Sequence, residues 1–478
     1  MHKVTRRQFI VELAAGSSAF AFTERSFAAR EKPYPNIVYV FADQWRAQAT
    51  GYNGDINAKT PNLDALAAQS CNFVNAVSGC PVCSPYRASL LTGQYPLTHG
   101  VFLNDVQLND DAITIAKVLG KAGYNTGYIG KWHVHDHGRS AFIPKESRQG
   151  FEFWQTMECT HNYNHSYYYG DANKKLLWPG YDAIAQTKEA QKYIRVHADD
   201  NAPFALFLSW GPPHTPYQTA PKKYREMVNK NKIELRPNVP QKFADKARED
   251  LSGYYAHIMA LDDCIGDILK TLKDTKIEEN TIFIFTSDHG DMLYSQGMTK
   301  KQKPFEESAR VPFLLRWPAV HGNKGKDVDV LLNSPDIMPT LLGLCGIDIP
   351  NSVEGEDLSG AVCGDKKNER EAALLTCPSP FGQWIRKHGG REYRGVRTKR
   401  YTFVRDLKGP WLLYDNEKDP YQMENLCDNP KYAMLQSRLD KELNFLLRQT
   451  HDEFLPGPEY IKKWGYTVDE DGTVPYSK

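Results

Sequence analysis

The sequence has no excess of either charge. Its 59 lysines and arginines offset 58 aspartates and glutamates over 478 residues, for a formal net charge of +1. That removes any broad electrostatic case for nucleic acid or an anionic membrane as partner. Cysteine is sparse and odd in number, nine residues spread from Cys71 to Cys427. This density excludes a disulfide scaffold and leaves any pairing open. The one Cys-x-x-Cys, Cys80 to Cys83, has a redox pair or half a zinc site as its plain alternative reading, against which stands the lack of any second such pair. No apolar run is long enough to span a membrane; the run over residues 9–22 is short and interrupted by Glu12. There are no internal repeats and no low-complexity tracts.

What is present is length, enough for one large domain and a smaller one with a sizeable core. Continuous apolar runs at 36–41, 204–210 and 281–286 fit buried strands of a mostly parallel sheet. Between the last two lies the best periodic segment, 251–273, where Tyr254, Ile258, Leu261, Ile265, Ile268 and Leu272 repeat at helical spacing. The fold class expected is α/β, a large mostly parallel sheet flanked by helices over 33–365. A small C-terminal α+β subdomain over 366–478 should hold antiparallel strands (392–404, 411–415) and a terminal helix striped by Leu435, Leu439, Leu443 and Leu446. Residues 1–28 resemble a twin-arginine export signal, Thr5-Arg6-Arg7-Gln8-Phe9-Ile10 leading to a small-residue cleavage site at Ala28. A periplasmic or secreted location follows from that resemblance.

The chain is organised around Cys83-Ser84-Pro85-Tyr86-Arg87, which continues Ala-Ser-Leu-Leu-Thr to Gly93. Ser84 as N-cap, Pro85 at the first position and Gly93 as C-cap predict a short helix over 85–92 with Cys83 just outside it. Its free N–H groups, its dipole and Arg87 would then form a seat for a tetrahedral oxyanion beside the sulfur. This stretch resembles the Cys-x-Pro-x-Arg signature of the sulfatase family, a branch of the alkaline-phosphatase-like superfamily. The resemblance implies oxidation of Cys83 to formylglycine (3-oxoalanine) by a formylglycine-generating or anaerobic sulfatase-maturating enzyme.

Further elements extend the likeness over most of the chain. Asp43 and Gln44 end the first apolar run, and Asp288 and His289 follow the 281–286 run. The resemblance makes these four, with residue 83, the shell of one Ca²⁺; the neutral Gln44 and the softer His289 leave another divalent ion open. Asp291 reads as a solvated loop carboxylate. Gly130-Lys131-Trp132-His133 resembles the family's Gly-Lys-Trp-His element, which implies Lys131 binding a sulfate oxygen or orienting the hydrated aldehyde, and His133 taking a proton from that hydrate. An extended backbone would put both side chains on one side; His135 and His137 read as solvated. Pro213-His214-Thr215-Pro216-Tyr217 resembles the element whose histidine protonates the leaving oxygen. Counting back from Phe305-Glu306 aligns Lys301 with the family's active-site lysine, with Lys303 as competitor. The polar, aromatic stretch 158–170 reads as a substrate-facing loop offering His161, His165 and Tyr167, or else as an ordinary tyrosine-rich surface loop.

The resemblance implies hydrolysis of sulfate monoesters, most directly O-sulfate groups of a carbohydrate. The rivals are a phosphonate monoester or phosphodiester hydrolase of the same superfamily, and a non-catalytic binder of sulfated glycans.

Overall fold

The computed structural model describes residues 34–364 and 370–476. The export-signal reading and most of the charged stretch 364–371 lie outside the described residues. Eight strands form the main sheet, in spatial order Lys326–Asn333, Cys71–Val77, Phe313–Arg316, Thr281–Ser287, Asn36–Asp43, Phe204–Pro213, Asn125–Lys131 and Phe153–Met157. All neighbours pair parallel except Phe313–Arg316, which runs against both of its own. The central strand shows why its run is continuously apolar. Ile37, Tyr39 and Phe41 enter the core on one face, while Val38, Val40 and Ala42 enter the core on the other. The long helix Ala244–Asp274 packs on the second face, seven residues longer at its start than its apolar stripe indicated.

The second sheet is antiparallel, in the order Ala372–Cys377, Tyr393–Thr398, Tyr401–Asp406, Gly409–Asp415. The stretch expected as one strand over 392–404 is thus a hairpin, turning at Lys399 and Arg400. The helix Ala433–Gln449 buries Leu439, Leu443 and Leu446 against this sheet, and a further helix, Gly457–Trp464, follows it. Asn333 ties the sheets together, its side-chain amide donating to the Leu374 carbonyl at 3.0 Å. Among the described residues no helix is long and apolar enough to cross a membrane.

Four strands of the main sheet end on one edge and bring there, as their last residue or just after it, Asp43, Lys131, His214 and the pair Asp288-His289. That is the carboxyl edge at which open α/β sheets gather ligands.

Candidate active site

The helix at the centre begins two residues earlier than its capping signals suggested. It spans Cys83–Thr92, with Val82 as an extended N-cap and Gly93 closing it in the left-handed region at φ 67°. Ser84 therefore lies inside the first turn, where its hydroxyl caps nothing. Its N–H donates to Asn104 Oδ1 at 3.1 Å, and Pro85 has no N–H to offer. The anion seat consequently rests on side-chain cations more than on the helix terminus.

Those cations converge on Cys83. Lys301 Nζ lies 3.0 Å from its sulfur, His289 Nε2 3.4 Å and Asp43 Oδ1 3.7 Å. Lys131 Nζ donates to Asp43 Oδ2 at 2.5 Å. Arg87 donates through Nη1 to the Lys131 carbonyl and Ser209 Oγ, both at 2.7 Å, and through Nη2 to Asp43 and Asp288 at 3.4 and 3.2 Å. Lys303 faces elsewhere: its ammonium donates to the carbonyls of Thr299 and Lys301 and sits over Trp384. Between the two competing lysines, only Lys301 reaches the sulfur.

The electrostatics follow from these contacts. Burial alone would raise the Asp43 carboxyl, but Lys131 and Lys301 outweigh it and hold it well below its ordinary range. Burial and the Asp43 charge push Asp288 up to about 6. Burial and Asp43 also oppose ionisation of the Cys83 thiol, yet Lys131, Lys301 and His289 together draw it well below its ordinary value.

A divalent cation fits the donor set. Asp43, Cys83, Asp288 and His289 offer ligand atoms that all lie within 4.8 Å of one another. The His289 Nδ1–H donates to the Gly290 carbonyl at 2.9 Å, so Nε2 is the atom that faces the cluster and would ligate a cation once it has given up its proton. Gln44 is fully buried; its amide nitrogen donates to Asp291 Oδ2 at 2.6 Å, and its Oε1 has no hydrogen-bond partner among the described residues. An orphaned, oriented carbonyl oxygen beside two carboxylates suits a hard cation. Asp291 is therefore no solvated carboxylate. It is fully buried, accepting also from Tyr217 Oη and the N–H groups of Leu293 and Lys300. Gln44→Glu should weaken the protein even though it adds a carboxylate to the shell, because it sets two acceptors face to face at Asp291. The urea midpoint should fall by the equivalent of about 1–3 kcal/mol; a rise would contradict this reading of the amide.

The remaining site residues divide. Gly130 has φ 101°, and a Cβ there would meet the Ser209 carbonyl oxygen at 2.0 Å, so only glycine lets Lys131 leave the strand as it does. His133 is not extended but left-handed at φ 61°, and it is buried, with Nε2 3.3 Å from Asp105 Oδ1. His135 is buried too, its N–H donating to Glu158 Oε1, whereas His137 is exposed. The His214 Nδ1–H donates to the Thr215 carbonyl at 2.9 Å. Burial and Lys301 hold this imidazole well below its ordinary value, which favours the neutral ring. His161 stacks on it, ring centroids 4.6 Å apart and planes within 3°. His165 is exposed, and the Tyr167 hydroxyl is committed to the Arg139 carbonyl at 3.0 Å. Asp105, Arg139, Ser209 and Asp291 were not singled out as site residues from sequence, since no motif marks them.

Comparison with known proteins matches residues 35–347 to the sulfatase family model and residues 295–449 to that of the N-sulphoglucosamine sulphohydrolase C-terminal region. An ulvan-active sulfatase of Formosa agariphila is 44% identical over 93% of this chain and 88% of its own length. An endo-4-O-sulfatase of Bacteroides thetaiotaomicron is 32% identical over 91% and 95%. A solved structure concerned with glycosaminoglycan metabolism in the same bacterium superposes with a TM-score of 0.80 at 30% identity, covering 90% of this chain and 99% of the other. With the Cys83-to-Arg87 stretch, the cations around its sulfur and a family match over most of the length, the chain belongs to the sulfatase family, whose members are sulfuric ester hydrolases.

Proposed function

We propose that this protein hydrolyses O-sulfate esters of a carbohydrate, working from a formylglycine at position 83 with a divalent cation, most naturally Ca²⁺, held by Asp43, Gln44, Asp288, His289 and residue 83. The observation that carries the reading is the convergence of Lys301, His289 and Asp43 within 3.7 Å of the Cys83 sulfur. The likeness to an ulvan-active sulfatase and an endo-4-O-sulfatase supports a sulfated polysaccharide as substrate class.

Hydrated formylglycine would supply two hydroxyls on one carbon, one to attack sulfur and one to surrender its proton; the cation would neutralise sulfuryl oxygens. The chain's own residues do the rest. Lys131, Lys301 and Arg87 hold negative charge in a water-poor site, where preorganised dipoles and cations act far more strongly than in water. An incoming sulfate monoester brings the negative charge that offsets Lys301 beside His214. That allows His214 Nε2 to take up a proton and pass it to the departing alkoxide, a contribution of about 10²–10⁴-fold for a general acid. His133, through Nδ1, accepts the proton of the second hydroxyl. Residues 1–28 would direct export by the twin-arginine route, after position 83 has been converted in the cytoplasm.

Sulfated oligosaccharides and aryl sulfates assayed beside phosphonate monoesters and phosphodiesters test the assignment. The expected result is sulfate release with the higher kcat/KM on sulfate esters. Preference for the phosphonate or diester would transfer the protein to that chemistry, and saturable glycan binding without release would make it a binding protein.

A further inference from the structure

His133 is held from outside the motif that contains it. Its Nε2 meets Asp105 Oδ1 at 3.3 Å. That carboxylate is gripped by Arg139, Nε to Oδ1 at 2.8 Å and Nη2 to Oδ2 at 2.7 Å. A bidentate guanidinium fixes both the position and the plane of a carboxylate. Arg139 is in turn fixed: its carbonyl accepts from the Tyr167 hydroxyl at 3.0 Å and the Cys159 N–H at 3.1 Å, and its guanidinium stacks 4.2 Å from the Tyr476 ring. Both Asp105 and His133 adopt left-handed backbone, φ 62° and 61°, a region uncommon for residues with side chains though less so for Asp and His. His133 and Asp105 are buried, and His133 Nδ1 has no hydrogen-bond partner among the described residues.

We infer that Asp105, clamped by Arg139, is a positioning residue that locks His133 in the Nε2–H tautomer and so keeps the Nδ1 lone pair free to accept a proton. A carboxylate oxygen can only accept, so the proton between the two groups belongs to Nε2. Burial opposes charging this ring, yet its neighbours, Asp105 among them, raise its pKa; whenever the ring is neutral the other nitrogen is bare, and the ring cannot rotate without breaking the contact. The inference rests on the role proposed above for His133, and it adds the residues that define the ring's usable atom.

The test uses full-length protein. In ¹⁵N-histidine spectra, the His133 signal is identified by its loss in His133→Ala. Wild type should show the Nε2–H tautomer, and Asp105→Ala should show a mixture or the Nδ1–H form. Asp105→Ala should lower kcat about 10–100-fold, the usual effect of losing the group that orients a site histidine, with KM changed little. Asp105→Asn, which keeps one acceptor oxygen, should recover part of that loss. In a His133→Ala background neither Asp105 variant should lower the rate further, whereas a merely structural role would add its cost. An Nδ1–H tautomer in wild type overturns the inference without any variant having to fold, as does unchanged kcat in folded Asp105→Ala. Full turnover by His133→Ala alone would instead remove the proposed role of His133, while leaving the tautomer reading intact.

Discussion

Replacing Cys83 by alanine should end turnover while leaving substrate binding in place. The sulfur lies at the meeting point of the site, within 3.0 Å of Lys301 and 3.4 Å of His289. Removing a nucleophile outright costs on the order of 10⁶-fold in kcat, because the remaining groups have nothing to activate. The side chain is small and the exchange deletes one atom, so the sheet edge and the helix Cys83–Thr92 should persist. A sulfated ligand should therefore still bind within a few-fold of the unaltered affinity, held by Lys131, Arg87 and Lys301. Rate and affinity measured on the same preparation separate loss of chemistry from loss of fold. Residual hydrolysis within tenfold of the parent rate would mean that the nucleophile lies elsewhere.

The second large effect concerns the two lysines that sequence alone leaves in competition. Lys301→Ala should lower kcat by about 10²–10³-fold, the usual cost of deleting one preorganised charge donor at a reacting group. Lys303→Ala should change it several-fold at most. The difference lies in what each ammonium touches: Lys301 meets the Cys83 sulfur, and Lys303 meets backbone carbonyls of its own loop and the face of Trp384. Burial pushes Lys303 down to about 7, so near neutral pH it is partly uncharged and a weak stabiliser of an anion. Losing Lys303 should instead show as lower stability of the loop. Equal losses of kcat in the two variants would contradict the assignment.

The contrast between these lysines marks the border of what the sequence makes legible. Position written in contiguous motifs was readable: Cys83 beside Arg87, and the apolar runs whose ends carry Asp43, Lys131, His214 and Asp288 to one edge of the sheet. Each depends on short-range order, a strand that must end and a loop that must follow it. Choices made by long-range contact were not readable. Asp291 looks like any aspartate in a glycine-containing loop until the fold brings Gln44 and Tyr217 to it. His135 sits among polar neighbours in sequence, yet Glu158 and the packing around it bury it. Asp105 lies 28 residues from His133 with no periodicity or motif to link them. Boundaries slipped for a local reason: Ser84 and Pro85 imitate a helix start so well that the true start at Cys83, with Val82 as cap, was displaced by two residues. The polar turn at Lys399-Arg400 hid a hairpin, because neither residue is one of the glycine, proline, asparagine or aspartate signals that mark a turn in sequence.

The proposed function rests on the chemical state of position 83 in protein made together with a sulfatase-maturating enzyme. Mass analysis of the intact peptide containing that residue should find an aldehyde, or its hydrate, in place of the thiol, with the modified fraction tracking the specific rate of sulfate release from preparation to preparation. An unmodified thiol in protein that hydrolyses sulfate esters at full rate would contradict it.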